Sequence, residues 1–402
     1  MMFELTDEQK EIRRMAKSFA ENEIKPHLTE IEKLPKEEIP WDIVKKGMKL
    51  GFFSGYLPKK YGGSLSGLSS VLFLEEIAAV SAGMATVFSA TGLGLAPVAV
   101  ARNKEQMERF FPEIPIAEKK GELCYWCYGL TEPDSGSDAE YTPGAKRAKL
   151  LTSVRRQGDK YVINGRKCFI TMGHLSKWIS VFAALDGAAG IERWTCLAVP
   201  TDTQGVHIGR VEDKMGTRTA PAAEIIFEDV AVPIENRIGE EGQGWSINRQ
   251  CLSLSRPGVA AISLGIAKGA FEIALNYAKD RKQGGKNIIE HQIIQTMLAD
   301  MYIRIEAARL LTWHAALLNS KVRPVPIKEP AAAKVFASDT AVKVSSDAIQ
   351  IMGGYGYMKD YGAEQFYRDA KLQQIVEGTN QINRLTIMEG LMEEIGYVAS
   401  EA

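Results

Sequence analysis

Net charge is almost missing from this 402-residue chain, whose 49 Lys and Arg against 50 Asp and Glu leave −1 with histidine neutral. The two signs are mixed along its length, so there is no electrostatic footprint for nucleic acid. Cysteine is scarce, with five in all, which speaks against a disulfide framework. Cys124-Tyr125-Trp126-Cys127 has the spacing of a redox or metal pair, but Leu123 to Leu130 reads as a strand, where residues i and i+3 face opposite sides. No second cysteine pair or nearby histidine completes a metal site, so no metal is expected. Cys168, Cys196 and Cys251 read as small packing residues. The first ten residues have no basic stretch leading into an apolar one; no signal peptide is expected, and a cytoplasmic location follows. Internal repeats and low-complexity tracts are also lacking.

Charge is missing again from Ile77 to Ala101, a length that would suffice to cross a bilayer. Gly83, Gly92, Gly94, Pro97 and several hydroxyl residues interrupt that run. It reads as two core helices broken at Gly83, with no membrane span expected. Helical periodicity runs from Thr6, a plausible N-cap with Glu8 and Gln9 in the first turn, to about Ala117. Between about Gly121 and Arg237 it gives way to short β-rich runs at Tyr161–Ile163, Trp178–Phe182, Thr195–Val199 and Glu224–Phe227. Turn residues such as Asn164-Gly165 separate them, which predicts antiparallel sheet. Beyond Gly242 long helical segments return near 244–282, 288–320, 327–352 and 380–396. The expected fold is α+β and multidomain: an N-terminal helical domain over 1–120, a middle antiparallel β-domain over 121–237 and a C-terminal helical bundle over 238–402. The bundle has more apolar positions than an exposed helix pair buries, which predicts oligomerisation.

Three stretches carry chemistry. Leu130-Thr131-Glu132-Pro133-Asp134-Ser135-Gly136-Ser137-Asp138 follows a strand and offers N–H groups and hydroxyls to a phosphate or a flavin edge; a polar turn cluster is the plain alternative. Gln350-Ile351-Met352-Gly353-Gly354-Tyr355-Gly356-Tyr357 is glycine-rich but follows a helix, not the strand a dinucleotide fingerprint requires. It reads as a helix end closed by glycines, which also let a ligand approach the backbone. In Ile375-Val376-Glu377-Gly378-Thr379-Asn380-Gln381-Ile382 an acid stands between an apolar residue and a glycine. A solvated surface Glu accounts for it in isolation; desolvated in a ligand cleft, the same carboxyl would have a raised pKa and act as a general base.

Taken together these stretches resemble the acyl-CoA dehydrogenase family, from Leu5-Thr6-Asp7-Glu8-Gln9 to the final helix. Asn164-Gly165-Arg166-Lys167, Phe227-Glu228-Asp229-Val230, Arg281-Lys282, His291-Gln292 and Arg368-Asp369-Ala370 add to the likeness, and their joint order is specific. The resemblance implies FAD as cofactor and an acyl-CoA thioester as substrate. It implies flavin contacts at Tyr128, Leu130 and Thr131 on one edge and at Phe169, Ile170 and Thr171 on the other, with Gly136 and Ser137 toward the diphosphate or the CoA arm. A neighbouring subunit would hold the ADP half with Arg281, Gln283, His291, Gln292, Gln350, Gly353 and Gly354, and Thr379 and Gln381 also correspond to FAD contacts. Glu377 matches the family's base in one of two known placements. The other corresponds to Ser255, which cannot accept a proton at neutral pH. Ser253, Arg256, Gly378 and Ser137 correspond to substrate contacts. The implied reaction takes the α-proton to Glu377 and the β-hydride to the flavin, with electrons passed to an electron-transferring flavoprotein. The implied assembly is a homotetramer, a dimer of dimers.

Several residues depart from the family pattern. Gly284 stands where an aromatic Phe is usual, Glu389 where several members carry an Arg near CoA, and Ala220 and Ala222 where Ser and Thr are common. The stretch Lys146 to Arg156 is longer than usual and is expected to be a loop beside the acyl-CoA entrance. Two other classes stay open: an oxidase using O2 on the same fold, against which the chain is short, and a non-catalytic CoA- or flavin-binding partner, against which Glu377 is intact. Ala85 falls at or near the position where members acting on glutaryl-CoA carry an Arg, which favours an apolar acyl group. Short, branched, cyclic and aromatic acyl chains all fit that reading.

Overall fold

The computed structural model describes residues 4–65, 67–139 and 150–397. Helix α1 (Asp7–Phe19) starts as its sequence predicts. Thr6 Oγ1 accepts the Gln9 N–H at 3.2 Å and Gln9 Oε1 accepts the Thr6 N–H at 3.0 Å, a reciprocal capping box. Its buried face is Ile12, Ala16 and Phe19, and the Phe19 ring packs edge-on against Phe52 and Phe88 at 4.9 and 5.8 Å. Helices α2 (Leu28–Ile31), α3 (Trp41–Lys49), α4 (Leu68–Ala78), α5 (Ala82–Ala101), α6 (Lys104–Phe110) and α7 (Glu113–Lys120) complete this helical layer. The uncharged run does divide into two helices, but the break comes before Gly83. Ser81 caps α5 by accepting the Met84 N–H, and Gly83 lies inside the first turn, where a Cβ would come within 2.0 Å of Thr219 Oγ1. Among the described residues α5 and Gly244–Asp280 are long and apolar enough to cross a membrane, yet both are mostly buried within the fold.

The sheet has the order β6-β7-β3-β2-β4-β5-β8, with β1 added beside β4. Its strands are β1 (Tyr125–Gly129), β2 (Ser153–Gln157), β3 (Lys160–Thr171), β4 (Ser176–Leu185), β5 (Trp194–Pro200), β6 (Val206–Val211), β7 (Ala222–Pro233) and β8 (Arg237–Ile238). Most pairs are antiparallel as expected, but β1 and β2 run parallel to β4. Period-two patterning is the same for both pairings, so the sequence cannot distinguish them. Asn164-Gly165 is no turn between strands: it sits inside β3 at a register shift against β7, and Gly165 at φ 145° leaves room for Thr152. Part of the expected 146–156 loop is strand β2, while Lys146 to Lys149 lie outside the described residues.

Around β4 and β5 both faces of the sheet are dry, whereas β6 and much of β2 are exposed. In β4, Trp178, Phe182 and Ala184 join the core shared with the helices, whereas Ile179, Val181, Ala183 and Leu185 fill a second core with Tyr161, Leu197 and Phe227. Cys124 belongs to the first core and Cys127 to the second, as expected of residues on opposite sides of a strand; all five cysteines are free and buried.

The remaining helices are α8 (Gly244–Asp280), α9 (Gln292–Lys321), α10 (Lys328–Met352), α11 (Gly354–Tyr357), α12 (Ala363–Gln373) and α13 (Asn380–Glu394). The four long segments read from the sequence are present, and α12 is added to them. A small hairpin, β9 (Lys282–Gln283) with β10 (Lys286–Asn287), follows α8. Pro257 within α8 supplies no N–H to the Ser253 carbonyl one turn back, and Asn319 Nδ2 donates to that oxygen at 2.8 Å instead.

Sheet and C-terminal helices meet at Gly216-Thr217. A Cβ on Gly216 would come within 2.5 Å of the Arg368 backbone, so glycine lets this loop lie against α12. Thr217, at φ 48°, donates its N–H to Asp369 Oδ1 at 2.5 Å, and Lys214 Nζ donates to Thr217 O at 2.8 Å. Asp369 is 1% exposed. Burial, and then the nearby Glu32 carboxylate, push its carboxyl up to about 7, against the pull of the Thr217 N–H, Arg368 and Lys214. The folded chain thus keeps a proton on Asp369 where the unfolded chain, with an ordinary value of 3.8, has lost it. The stability from this group is full below about pH 4 and is lost as pH rises through about 7. Asp369→Asn carries no such proton. The melting temperature of the unmodified chain is therefore expected to fall relative to that of the variant across this window, and parallel melting curves at every pH would contradict it.

Candidate active site

Leu130-Thr131 follow directly on strand β1, and β3 ends at Phe169-Ile170-Thr171. A buried ion pair joins them. Lys167, whose side chain is 0% exposed, donates Nζ to Glu132 Oε1 at 2.7 Å and to the Leu130 carbonyl at 2.9 Å. The Glu132 carboxylate also accepts the N–H groups of Leu151 and Thr152 at 2.6 and 2.9 Å, and Cys168 N–H donates to Thr131 O at 2.9 Å. Burial works against the Glu132 charge, but Lys167 and these donors outweigh it and hold the carboxyl below its ordinary range. The result is a fixed shelf. Phe169 stands on it at φ 59°, at a register shift of β3, and the residue is 62% exposed. An aromatic residue held left-handed costs on the order of 1–3 kcal/mol and points to function. Tyr128 leans from β1 toward α8, its hydroxyl donating to Asn248 Oδ1 at 2.7 Å.

Helix α8 brings Ser255 and Arg256 to the turn between α12 and α13 and carries Ser253 in the same helical turn. Ser253 is 1% exposed and its Oγ has no hydrogen-bond partner. Arg256 Nε reaches the Glu377 carbonyl at 3.4 Å, and Ser255 Oγ donates to Glu377 Oε2. Glu377 is half-buried and, at φ 51°, lies in the left-handed region, followed by Gly378 at φ 85°. Lys334 of α10 locks this turn, donating to Gly378 O at 2.8 Å and Asn380 Oδ1 at 2.9 Å; Asn383 adds a bond to Gly378 O at 2.7 Å. Thr379 is the N-cap of α13, its hydroxyl accepting from Ile382 N, and Gln381 is exposed on the first turn.

A second group of expected residues lines a surface cleft of about 600 Å³. Arg281, Gln283, His291, Gly353 and Gly354 are all on its wall. The Arg281 guanidinium lies 5.3 Å over the Tyr355 ring, and Gly353, at φ 61°, closes α10 as a glycine-ended helix should. Gln350 and Gln292 are exposed next to the cleft in sequence but do not line it, and Gly136 and Ser137 are exposed near the end of the described segment. Gly284, at φ 60°, forms with Gly285 the two-residue turn of the β9–β10 hairpin. A Cβ there would meet His291 Cε1 at 3.2 Å, and His291 Nε2 bonds to Gln283 O at 3.0 Å. Glu389 is paired with Arg249 through two bonds of 2.8 and 2.9 Å. Ala220 and Ala222 are buried.

Sequence reasoning did not find Lys334, Asn383, Asn248 or the Glu132–Lys167 pair as working groups. Glu132 and Lys167 stood in two of the motifs, but nothing local to either shows that they meet. Among the described residues no group of His, Cys, Asp and Glu is arranged to hold a metal ion.

Family models described as the acyl-CoA dehydrogenase N-terminal, middle and C-terminal domains match residues 6–117, 127–230 and 242–392. The chain is 39% identical over 389 residues to a short-chain-specific acyl-CoA dehydrogenase of Clostridium acetobutylicum, covering 96% of this chain and 98% of that one. It is 38% identical to the CarC subunit of the caffeyl-CoA reductase-Etf complex of Acetobacterium woodii, covering 97% and 99%. The solved butyryl-CoA dehydrogenase of Megasphaera elsdenii superposes with a TM-score of 0.89 at 37% identity, over 98% of this chain and all of that one.

Lys167→Met strands the Glu132 carboxylate in the interior. Breaking a buried pair in this way costs about 3–5 kcal/mol, so denaturant unfolding should show a loss of that size. The double variant Glu132→Gln with Lys167→Met should be less damaged than Lys167→Met alone; equal or greater damage would mean that the pair is not the source of the loss.

Proposed function

We propose that Glu377 is the general base of the reaction, on the premise that this chain belongs to the acyl-CoA dehydrogenase family, whose three domain models it matches along most of its length. It is an FAD-dependent acyl-CoA dehydrogenase, an oxidoreductase that removes hydrogen from the α and β carbons of an acyl-CoA thioester. The observation that carries the assignment of the base is the turn at Glu377. A half-buried carboxylate stands on a strained left-handed residue, with its main chain held by Arg256 and its side chain held by Ser255. A proton α to a thioester is weakly acidic, and a positioned carboxylate is suited to take it. The Glu377 main-chain N–H is assigned to the thioester oxygen, where negative charge develops. Ser253, Arg256, Gly378 and Ser137 are assigned to the acyl-CoA.

The residues present fit FAD. Phe169 offers an exposed side chain next to Ile170 and Thr171 for one edge, and Tyr128, Leu130 and Thr131 are assigned to the other; the Arg281 cleft offers a cation and open glycines. When bound, FAD supplies the acceptor for the β-hydride. We assign the Arg281, Gln283, His291, Gly353 and Gly354 cleft, with Gln292 and Gln350 beside it, to the ADP half of a neighbour's FAD, and Thr379 and Gln381 to further contacts. Exposed Ile293 on the cleft wall, with Tyr302, Ile303 and Tyr357 exposed elsewhere on the C-terminal helices, supports oligomerisation, and the assembly assigned is a tetramer, a dimer of dimers. The domain limits of the reading are 1–120, 121–237 and 238–402. An electron-transferring flavoprotein is the proposed acceptor, in keeping with the Etf complex named for the Acetobacterium relative. A cytoplasmic location belongs to the same reading. Ala85 is buried in an uncharged helix, which supports an apolar acyl group over a dicarboxylate.

The purified protein is expected to be yellow, with as many FAD molecules as subunits, and to lose flavin when the oligomer is dissociated; a colourless monomer that still dehydrogenates acyl-CoA would contradict this. Glu377→Gln should keep FAD and acyl-CoA while flavin reduction in anaerobic stopped flow falls by about 10²–10⁴-fold. Reduction near the unmodified rate with substrate bound would move the base elsewhere.

A further inference from the structure

We propose that Ser255 is a positioning residue that serves the base in both of its protonation states, its single hydroxyl proton turning between the Glu377 carboxylate and the Leu252 carbonyl. The inference rests on Glu377 being the base. Ser255 Oγ lies within hydrogen-bond reach of two acceptors: Glu377 Oε2 across the turn, and Leu252 O at 3.2 Å one turn back on its own helix. A hydroxyl has one proton to donate and lone pairs to accept with, so it cannot donate to both at once.

The two states of Glu377 select between them. An ionised carboxylate only accepts, so Ser255 turns its proton toward it in a charge-assisted bond. A protonated carboxyl has a proton of its own to donate. Ser255 then accepts that proton's bond, and its own turns to Leu252 O, a side-chain-to-backbone bond that serine makes readily within helices. The step served moves one proton from the substrate α-carbon to Glu377: a C–H bond breaks, an O–H bond forms, and the electron pair stays with the substrate. No proton passes through Ser255. Its own proton is only reoriented, and Glu377 keeps a partner before and after the transfer.

Charged and titratable groups from the neighbouring elements also face the Glu377 turn. Arg256 from α8 is bonded to the Glu377 carbonyl, and Lys334 from α10 is bonded to Gly378 O. Cys251 from α8 feels the Glu377 charge, but burial pushes its thiol far up and keeps it neutral. From the sheet, Tyr128 is bonded to Asn248, and from α13 the nearby group is the neutral amide of Asn383. Removing the Ser255 hydroxyl takes one hydrogen bond from the Glu377 carboxylate and leaves these other groups in place. The bond to the ionised form is the stronger of the two, so its loss raises the pKa of Glu377.

The test is anaerobic stopped-flow reduction of the holoenzyme by butyryl-CoA from mildly acid to alkaline pH, for the unmodified chain, Ser255→Ala, Ser255→Thr and Glu377→Gln. Ser255→Ala should move the apparent pKa of the rate upward by roughly half a unit to one unit. Reduction would then be slower by about three- to tenfold on the acid side and converge with the unmodified rate at alkaline pH; Ser255→Thr should restore the profile. Infrared difference titration without substrate gives a second readout, since the carboxylic C=O band absent from Glu377→Gln should titrate at higher pH in Ser255→Ala. Superimposable pH profiles and titrations, or a rate lowered equally at every pH, would overturn the proposal. Rapid reduction by Glu377→Gln would instead overturn the assignment of the base on which it rests.

Discussion

The arrangement of the site depends on one buried ion pair, Glu132 with Lys167. The two residues are 35 apart in sequence, and each stands beside a segment whose backbone must be held still: Leu130-Thr131 after β1, and Cys168-Phe169 inside β3. In the interior neither charge is tolerable alone, so the pair forces both segments into one register. Its carboxylate is satisfied by the Leu151 and Thr152 N–H groups as well, which draws in the start of β2 as a third party. Replacement by an apolar pair of the same size would keep the volume and lose the direction. Hydrogen bonds aim the backbone here, which packing alone does less well.

From that anchor the strain elsewhere becomes intelligible. Phe169 and Glu377 both sit left-handed without being glycine, one on the sheet and the other between two helices of the bundle. Such residues persist only where the surroundings over-determine them. For Phe169 those surroundings are the bulged β3–β7 pairing and the bond from Cys168 to Thr131; for Glu377 they are Arg256, Lys334 and Asn383. Phe169 thus stands on the sheet and Glu377 on the bundle, and Tyr128 bonded to Asn248 ties the sheet to α8, the helix that carries Ser253, Ser255 and Arg256.

Much of this was legible in the sequence where the cause is local. The Thr6 cap, the long helices and most strands follow from periodicity and capping, and Glu377 stood out as an acid between an apolar residue and glycine. Asn164-Gly165 misled because the dipeptide favours left-handed turns, and here the same freedom serves a bulge inside β3. Parallel pairing of β1 and β2 with β4 left no trace, because alternation is blind to strand direction. Lys334, Asn319 and the partnership of Glu132 with Lys167 were hidden for another reason. Each meets its partner across tens of residues, and a lysine inside a helical pattern reads as surface until something shows that it is buried.

The shared core has a consequence for how the chain holds together as material. Phe19 and Phe88 of the first helices, Trp126 and Trp178 of the sheet, and Trp245 and Trp313 of the later helices belong to one continuous apolar interior. Trp126 and Trp178 are stacked at 5.3 Å, with Phe110 of the helical layer edge-on to both at 5.0 Å. Three blocks that can be told apart by sequence texture are therefore poor candidates for independent melting, since freeing any one would wet a large aromatic face of another. Recombination among relatives meets the same obstacle. A transplanted sheet would have to bring an outer surface matched to helices it had never packed against.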